Sequence, residues 1–166
     1  MLDIDGLDAT FDHVAHATPS IKGSLAIFRD LLGGQFVGGG NNPLTGFRAI
    51  QLRYPGGGRI ELIEELDGSG FLESFLRKHP TGGLHHLTFK VPDIHQAIDA
   101  VRAAGIEPFG VYLENPYWKE MFLHPKSTGG TLIQLAQSGH EWDLEWVSPV
   151  SVEEFLENPG RFSTWE

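Results

Sequence analysis

The stretch Gly83–Gly105, GLHHLTFKVPDIHQAIDAVRAAG, decides the fold, because a second version of it lies 73 positions earlier in the chain. Shifted back by that amount, His86 falls on His13, Pro92 on Pro19, Ile94 on Ile21 and Arg102 on Arg29. The offset holds further along, where Gly129-Gly130 falls on Gly56-Gly57 and Ile133-Gln134-Leu135 on Ile60-Glu61-Leu62. One offset kept from His13 to Leu62 marks a duplicated unit. Each copy therefore carries a histidine near its start and a side chain able to bind a metal 48 positions on: His13 with Glu61, and His86 with Gln134.

Within each copy the apolar pattern reads βαβββ. In the first, FDHVAHAT is a strand closed by Pro19, which has no amide hydrogen to give a sheet. A helix then starts at the Ser20 cap, sets Ile21, Leu25, Phe28 and Leu32 on one face, and ends at Gly33-Gly34. QFVGG, FRAIQLRY and RIELIEE supply three strands, the last two joined at the turn-forming Pro55-Gly56-Gly57-Gly58. In the second copy LHHLTFKV is the strand and Asp93 caps a helix that buries Ile94, Ile98 and Val101. EPFGVY, WKEMFLH and TLIQLAQ follow, with HPKSTGG between the last two. The expected fold is α+β: two tandem βαβββ modules, at about 10–66 and 83–137, forming an open barrel-like mixed sheet around a central cleft. Together they make one domain, 1–137. A connector over 67–82 forms a short helix with Phe71, Leu72, Phe75 and Leu76 on its apolar side. Residues 138–166 form an acidic tail with Trp142, Trp146 and Trp165, too much apolar area to leave in water, and a capping-box helix start at Ser151 with Glu154. We expect this tail to pack on the barrel.

Composition narrows the function. The 166 residues carry a formal charge of -10, which repels polyanions and argues against a nucleic-acid partner. Seven acids against Arg161 alone follow Ser138, so much of that charge is in the tail. With no cysteine there is neither a disulfide nor thiolate chemistry. The chain contains no apolar run long enough for a bilayer, and MLDIDGLDAT lacks the layout of a signal peptide. A cytoplasmic protein with no membrane partner is expected.

Side chains alternate along a strand, so His13 and His86 share one face of equivalent strands, and Glu61 and Gln134 one face of equivalent final strands. An approximate two-fold axis would bring the four to one point. Two imidazoles, a carboxylate and an amide oxygen suit a divalent cation such as Co, Ni, Zn, Mn or Fe, with positions left for a substrate. His16 and His85 have the wrong parity to join them, and His79, His95 and His140 read as surface residues.

The motifs HVAHATP, LHHLTFKVPDI and FLHPKSTGGTLIQL resemble the vicinal oxygen chelate superfamily, which includes glyoxalase I, methylmalonyl-CoA epimerases, extradiol dioxygenases and antibiotic-resistance proteins. The resemblance covers Phe11 to Gln137 and is strongest to the methylmalonyl-CoA epimerases. It implies that His13, Glu61, His86 and Gln134 are the metal positions, and that subunits pair as a homodimer. The chain departs from the epimerases in two ways. They carry a carboxylate where Gln134 stands, and another on the strand before the first-half ligand, where this chain offers only Ala49 and Gln51.

An enolate is a high-energy oxyanion, and a chelating divalent cation stabilises the charge as it develops. The leading expectation is a metal-dependent isomerase or lyase acting through an enolate on a small dicarbonyl or acyl thioester, a CoA thioester among the candidates. Glu61 is the acid of the quartet and the candidate base; His124, in FLHP, is a second candidate proton carrier. Lys119, Lys126 and Ser127 could hold a substrate phosphate or carboxylate. Two alternatives stand beside this one. His13, His86 and Glu61 alone make the 2-His-1-carboxylate set of a non-haem Fe(II) dioxygenase, and a metal-free small-molecule binding or resistance protein would use the same cleft. Epimerisation needs a base on one face of the carbanion and an acid on the other. With no acid at Ala49 or Gln51, proton exchange is expected to outrun inversion.

Overall fold

Alternation along Thr10–Ala17 (β1) buries His13, Ala15 and Ala17 and leaves Asp12, Val14 and His16 partly covered. The same period along Gly83–Lys90 (β5) buries His86 and Thr88. Both strands belong to a computed structural model that describes residues 7–42, 45–66, 68–138 and 148–158. The other strands are β2 (Gln35–Asn42), β3 (Phe47–Arg53), β4 (Arg59–Glu65), β6 (Phe109–Tyr112), β7 (Trp118–Leu123) and β8 (Ile133–Ser138). The eight form one mixed sheet in the order β2-β3-β4-β1-β5-β8-β7-β6. The fold is α+β with two βαβββ modules, as the repeat predicts.

Residues 14–85 and the described tail residues 148–158 belong to one compact unit, in which β1 runs parallel to β4 and β2, β3 and β4 are antiparallel neighbours. Its helix α1 (Ile21–Leu25) is capped by Ser20, whose hydroxyl accepts from the Gly23 amide. Ile21, Leu25, Phe36, Ile50, Leu52 and Leu62 form a buried cluster with Val152 and Phe155 of the tail helix α4 (Val152–Glu157). Ser151 and Glu154 form the capping box there, and Arg29 pairs with Glu153. A second cluster joins Ala17, Ala49, Ile63 and Leu72, with Phe75 and Leu76 of the connector helix α2 (Glu73–Lys78) packed against it. Only glycine fits at position 39, because a β-carbon there would lie 2.3 Å from the Ala49 carbonyl oxygen. Trp142, Trp146, Trp165 and His140 lie outside the described residues.

One helix differs from the sequence reading. After α1 the chain widens into a π turn over Ala26–Leu31, where the Leu32 amide donates to the Ile27 carbonyl. The extra residue in the turn rotates Leu32 off the expected buried face, and it is exposed. The Phe28 carbonyl instead accepts from the Tyr54 hydroxyl at 2.7 Å and from the Gly34 amide.

Residues 7–13 and 86–138 belong to the other unit, in which β5 runs parallel to β8 and β6, β7 and β8 are antiparallel neighbours. Helix α3 (Ile94–Ala103) is capped by Asp93, which accepts from the His95 and Gln96 amides. Ile94, Ala97, Ile98 and Val101 pack on Met121, Leu123 and Leu135, so one face of β7 and β8 is closed. The other face carries Glu120, Phe122 and Gln134.

The pairing registers restate the repeat. Val14 pairs with Ile60 and Ala15 with Glu61, while Leu87 pairs with Ile133 and Thr88 with Gln134. On the neighbouring strands Ala49 pairs with Ile63 and Glu120 with Ala136. Glu120 is therefore the second-half counterpart of Ala49.

Candidate metal centre

His13, Glu61 and His86 each offer a ligand atom, and these atoms all lie within 4.8 Å of one another; all three residues are buried. β1 and β5 deliver the histidines by alternation, and β4 delivers the carboxylate, as the 48-residue spacing predicts. The His13 and His86 rings meet edge to face at 6.1 Å, and Phe122 stands edge-on to His86 at 5.9 Å.

The surroundings of His13 select its tautomer. Its Nδ1 lies 2.7 Å from Asp12 Oδ2. A carboxylate only accepts, so Nδ1 carries a hydrogen towards Asp12, and Nε2, on the Thr88 side, is the nitrogen a metal could use. A carboxylate behind a ligating imidazole is the usual way its orientation and basicity are set. Lys90, 3.1 Å from Asp12 Oδ1, balances that charge. Two imidazoles so arranged and a carboxylate fit a divalent transition metal.

Gln134 is joined to this group through Thr88. The fully buried Thr88 hydroxyl is 2.6 Å from Gln134 Oε1 and 3.0 Å from His13 Nε2. On its other side Gln134 Nε2 donates to Glu120 Oε2 at 2.6 Å, and the Trp118 indole donates to the same oxygen at 2.8 Å. Thr88 and Glu120 were not among the residues singled out from sequence. The signal for Thr88 was its parity with His86. The signal for Glu120 lay in the repeat, obscured because Ala49 and Glu120 are 71 positions apart where the ligand pairs are 73 apart. Between the paired positions the β7–β8 hairpin is two residues longer than β3–β4, with Glu120 and Ala136 16 positions apart and Ala49 and Ile63 14 apart.

The remaining candidates lie elsewhere in the same unit. His124 is exposed just past β7, its ring 5.8 Å from Phe109 and its Nδ1 accepting the Lys126 amide. Lys126 and Ser127 are exposed in the turn that follows, where the Ser127 amide donates to the His124 carbonyl. Lys119 alternates to the α3 side of β7, where the Gln96 and His95 amides hold the Asp93 carboxyl below its usual range, with a smaller contribution from the Lys119 charge. The structure does not bring Lys119 to the ligand group. His85 has the opposite parity from His86 and packs on Phe75; burial pushes its pKa down, with the Glu61 charge opposing.

A family model described as the glyoxalase/bleomycin resistance protein/dioxygenase superfamily matches residues 12–122. The chain is 33% identical over 129 residues to the ethylmalonyl-CoA/methylmalonyl-CoA epimerase of Cereibacter sphaeroides, spanning 76% of this chain and 96% of that protein. It is 29% identical to the mitochondrial methylmalonyl-CoA epimerase of Homo sapiens, spanning 76% of this chain and 73% of that one. Among solved structures, methylmalonyl-CoA epimerase from Mycobacterium tuberculosis superposes with a TM-score of 0.70 at 28% identity, over 78% of this chain and 88% of that chain.

Proposed function

Because the chain belongs to the glyoxalase/bleomycin resistance protein/dioxygenase superfamily, we propose that it is an isomerase of CoA thioesters that removes and returns the proton next to the thioester carbonyl. The observation that carries this is the buried His13, Glu61 and His86 group, on a chain a third identical to a CoA-thioester epimerase over nearly the whole length of that protein. His13, Glu61 and His86 would hold a divalent metal, with Gln134 as a fourth, neutral oxygen ligand. When bound, such an ion stabilises negative charge on a substrate carbonyl oxygen.

Glu61 is the proton carrier of this reading. Its carboxylate is the acid among the four positions, and its burial beside the two imidazoles shields it from bulk water. Lys126 and Ser127, exposed beside His124, bind the anionic part of the substrate, and His124 is the candidate carrier for the opposite face. Its exposure favours proton exchange over clean inversion. The same reading places the protein in the cytoplasm as a homodimer; among the described residues no helix is long and apolar enough to cross a membrane.

A second reading has support of its own. Gln134 Oε1 already bonds to Thr88, and His13, Glu61 and His86 alone are the ligand set of a non-haem Fe(II) dioxygenase. Elemental analysis of protein purified without chelator or added metal separates the readings. The isomerase predicts about one cobalt, nickel, zinc or manganese per chain. Stoichiometric iron with oxygen uptake favours the dioxygenase, and no metal together with tight small-molecule binding favours a binding protein.

A further inference from the structure

We propose that Glu120 is a positioning residue: it fixes the amide of Gln134 so that Oε1, not Nε2, faces Thr88 and His13, which gives Gln134 its capacity to act as an oxygen ligand. This rests on the metal-centre reading above. A glutamine amide presents an acceptor and a donor of nearly equal shape, and an unanchored one turns either end inward. Glu120 removes that freedom. Glu120 Oε2 accepts from both Gln134 Nε2 and the Trp118 indole, so an inverted amide would set Oε1 against it at the 2.6 Å now spanned by a hydrogen bond. With Nε2 committed to Glu120, Oε1 is committed to the Thr88 side, where the bond is again 2.6 Å. The Trp118 indole donates to the same Glu120 oxygen and holds the carboxylate in place.

The strand pairings supply an independent reason to see Glu120 as built in. Glu120 opposite Ala136 repeats Ala49 opposite Ile63. The first half has alanine at this position and needs no anchor, because its ligand Glu61 has two equivalent oxygens. The second half has a ligand with two unlike ends, and there the equivalent position holds a buried carboxylate. A hydrogen bond from an amide to a carboxylate also polarises the amide and raises the electron density on its oxygen. Gln134 backed by Glu120 thus approaches a carboxylate ligand while its own side chain stays uncharged.

The test uses Co(II), whose visible absorption reports its ligands, and the variants Glu120→Gln and Glu120→Met. Glu120→Gln retains an oxygen able to accept from both Gln134 and Trp118, so cobalt affinity stays within about threefold of wild type and the spectrum is kept. Glu120→Met removes the acceptor and weakens cobalt binding by about 10–100-fold with an altered spectrum, the cost of losing a group that orients a ligand. Gln134→Met has the same effect, and the double variant is no weaker than either single one. Cobalt binding by Glu120→Met equal to wild type overturns the inference. So does a Glu120→Gln variant that binds cobalt normally yet loses α-proton exchange, since Glu120 would then act on the substrate itself. If Glu120→Met does not fold, the wild type still decides. In the metal-free protein the Gln134 side-chain amide protons should be exchange-protected and shifted by the carboxylate. Amide signals like those of a solvated glutamine overturn the anchor without any metal. Failure of the wild type to bind cobalt, with those signals protected, overturns the metal reading and leaves the anchor standing.

Discussion

At the scale of single residues, physical chemistry makes His16 a reporter of how tightly β1 is covered. It sits one position along from the buried Ala15, its ring 4.8 Å from Phe28, and desolvation lowers its pKa below the ordinary histidine value. Burial favours the neutral ring, so between the lowered folded pKa and ~6.5 the unfolded chain binds more protons than the folded one. The stabilisation is present above ~6.5 and is lost as pH falls through the folded pKa. Metal-free wild type should therefore lose thermal stability between pH 7.5 and 5.5, and His16→Gln should lose less over that interval. Parallel losses in the two proteins would show that His16 is not held neutral by the fold. The grouping of His13, Glu61 and His86 was legible in the sequence because a duplicated spacing is a joint signal no single residue gives. Thr88 was legible only in part, since its parity with His86 says which face it takes but not that it meets Gln134. Glu120 was missed because a two-residue difference in loop length hides a strand register that only pairing reveals.

At the scale of elements, the tail helix α4 separates local from tertiary stabilisation. Its capping box is a local device, and Ser151→Ala should cost about 1 kcal/mol by leaving the Glu154 amide without its acceptor. Phe155 is fully buried against Phe36, ring centroids 5.5 Å apart, and Phe155→Ala should cost about 3–5 kcal/mol through lost transfer energy and the cavity left. Urea titrations of the two variants check this order. Equal small losses would mean that α4 contributes little to the cluster around Ile50 and Leu62. The capping box and the cap of α3 at Asp93 were readable because each uses a side chain two or three residues from its target. The π turn after α1 was not readable. The Tyr54 hydroxyl that bonds to the Phe28 carbonyl within it comes from 26 positions along the chain, and no helical period anticipates that contact.

At the scale of the whole molecule, the architecture of two βαβββ modules in one mixed sheet was legible in the repeat, while the strand order within it comes from the pairings. Both halves show the same internal order, with parallel pairing of first and last strands. The chemistry was less fully written there, because a fold of this kind hosts several reactions and only the site distinguishes them. The comparison with the epimerases favours a CoA thioester, and the account stands on proton removal by Glu61 at a metal-dependent centre. The direct test is deuterium incorporation next to the carbonyl of methylmalonyl-CoA in deuterated water, followed by mass for metal-loaded wild type, chelator-treated wild type and Glu61→Gln. The account predicts rapid incorporation by the loaded wild type, faster than any inversion of the centre. It predicts a return of activity when metal is restored after chelation, and a loss of about 10²–10⁴-fold in Glu61→Gln with its metal retained. Incorporation that survives both chelation and Glu61→Gln, or none in the loaded wild type, would contradict it.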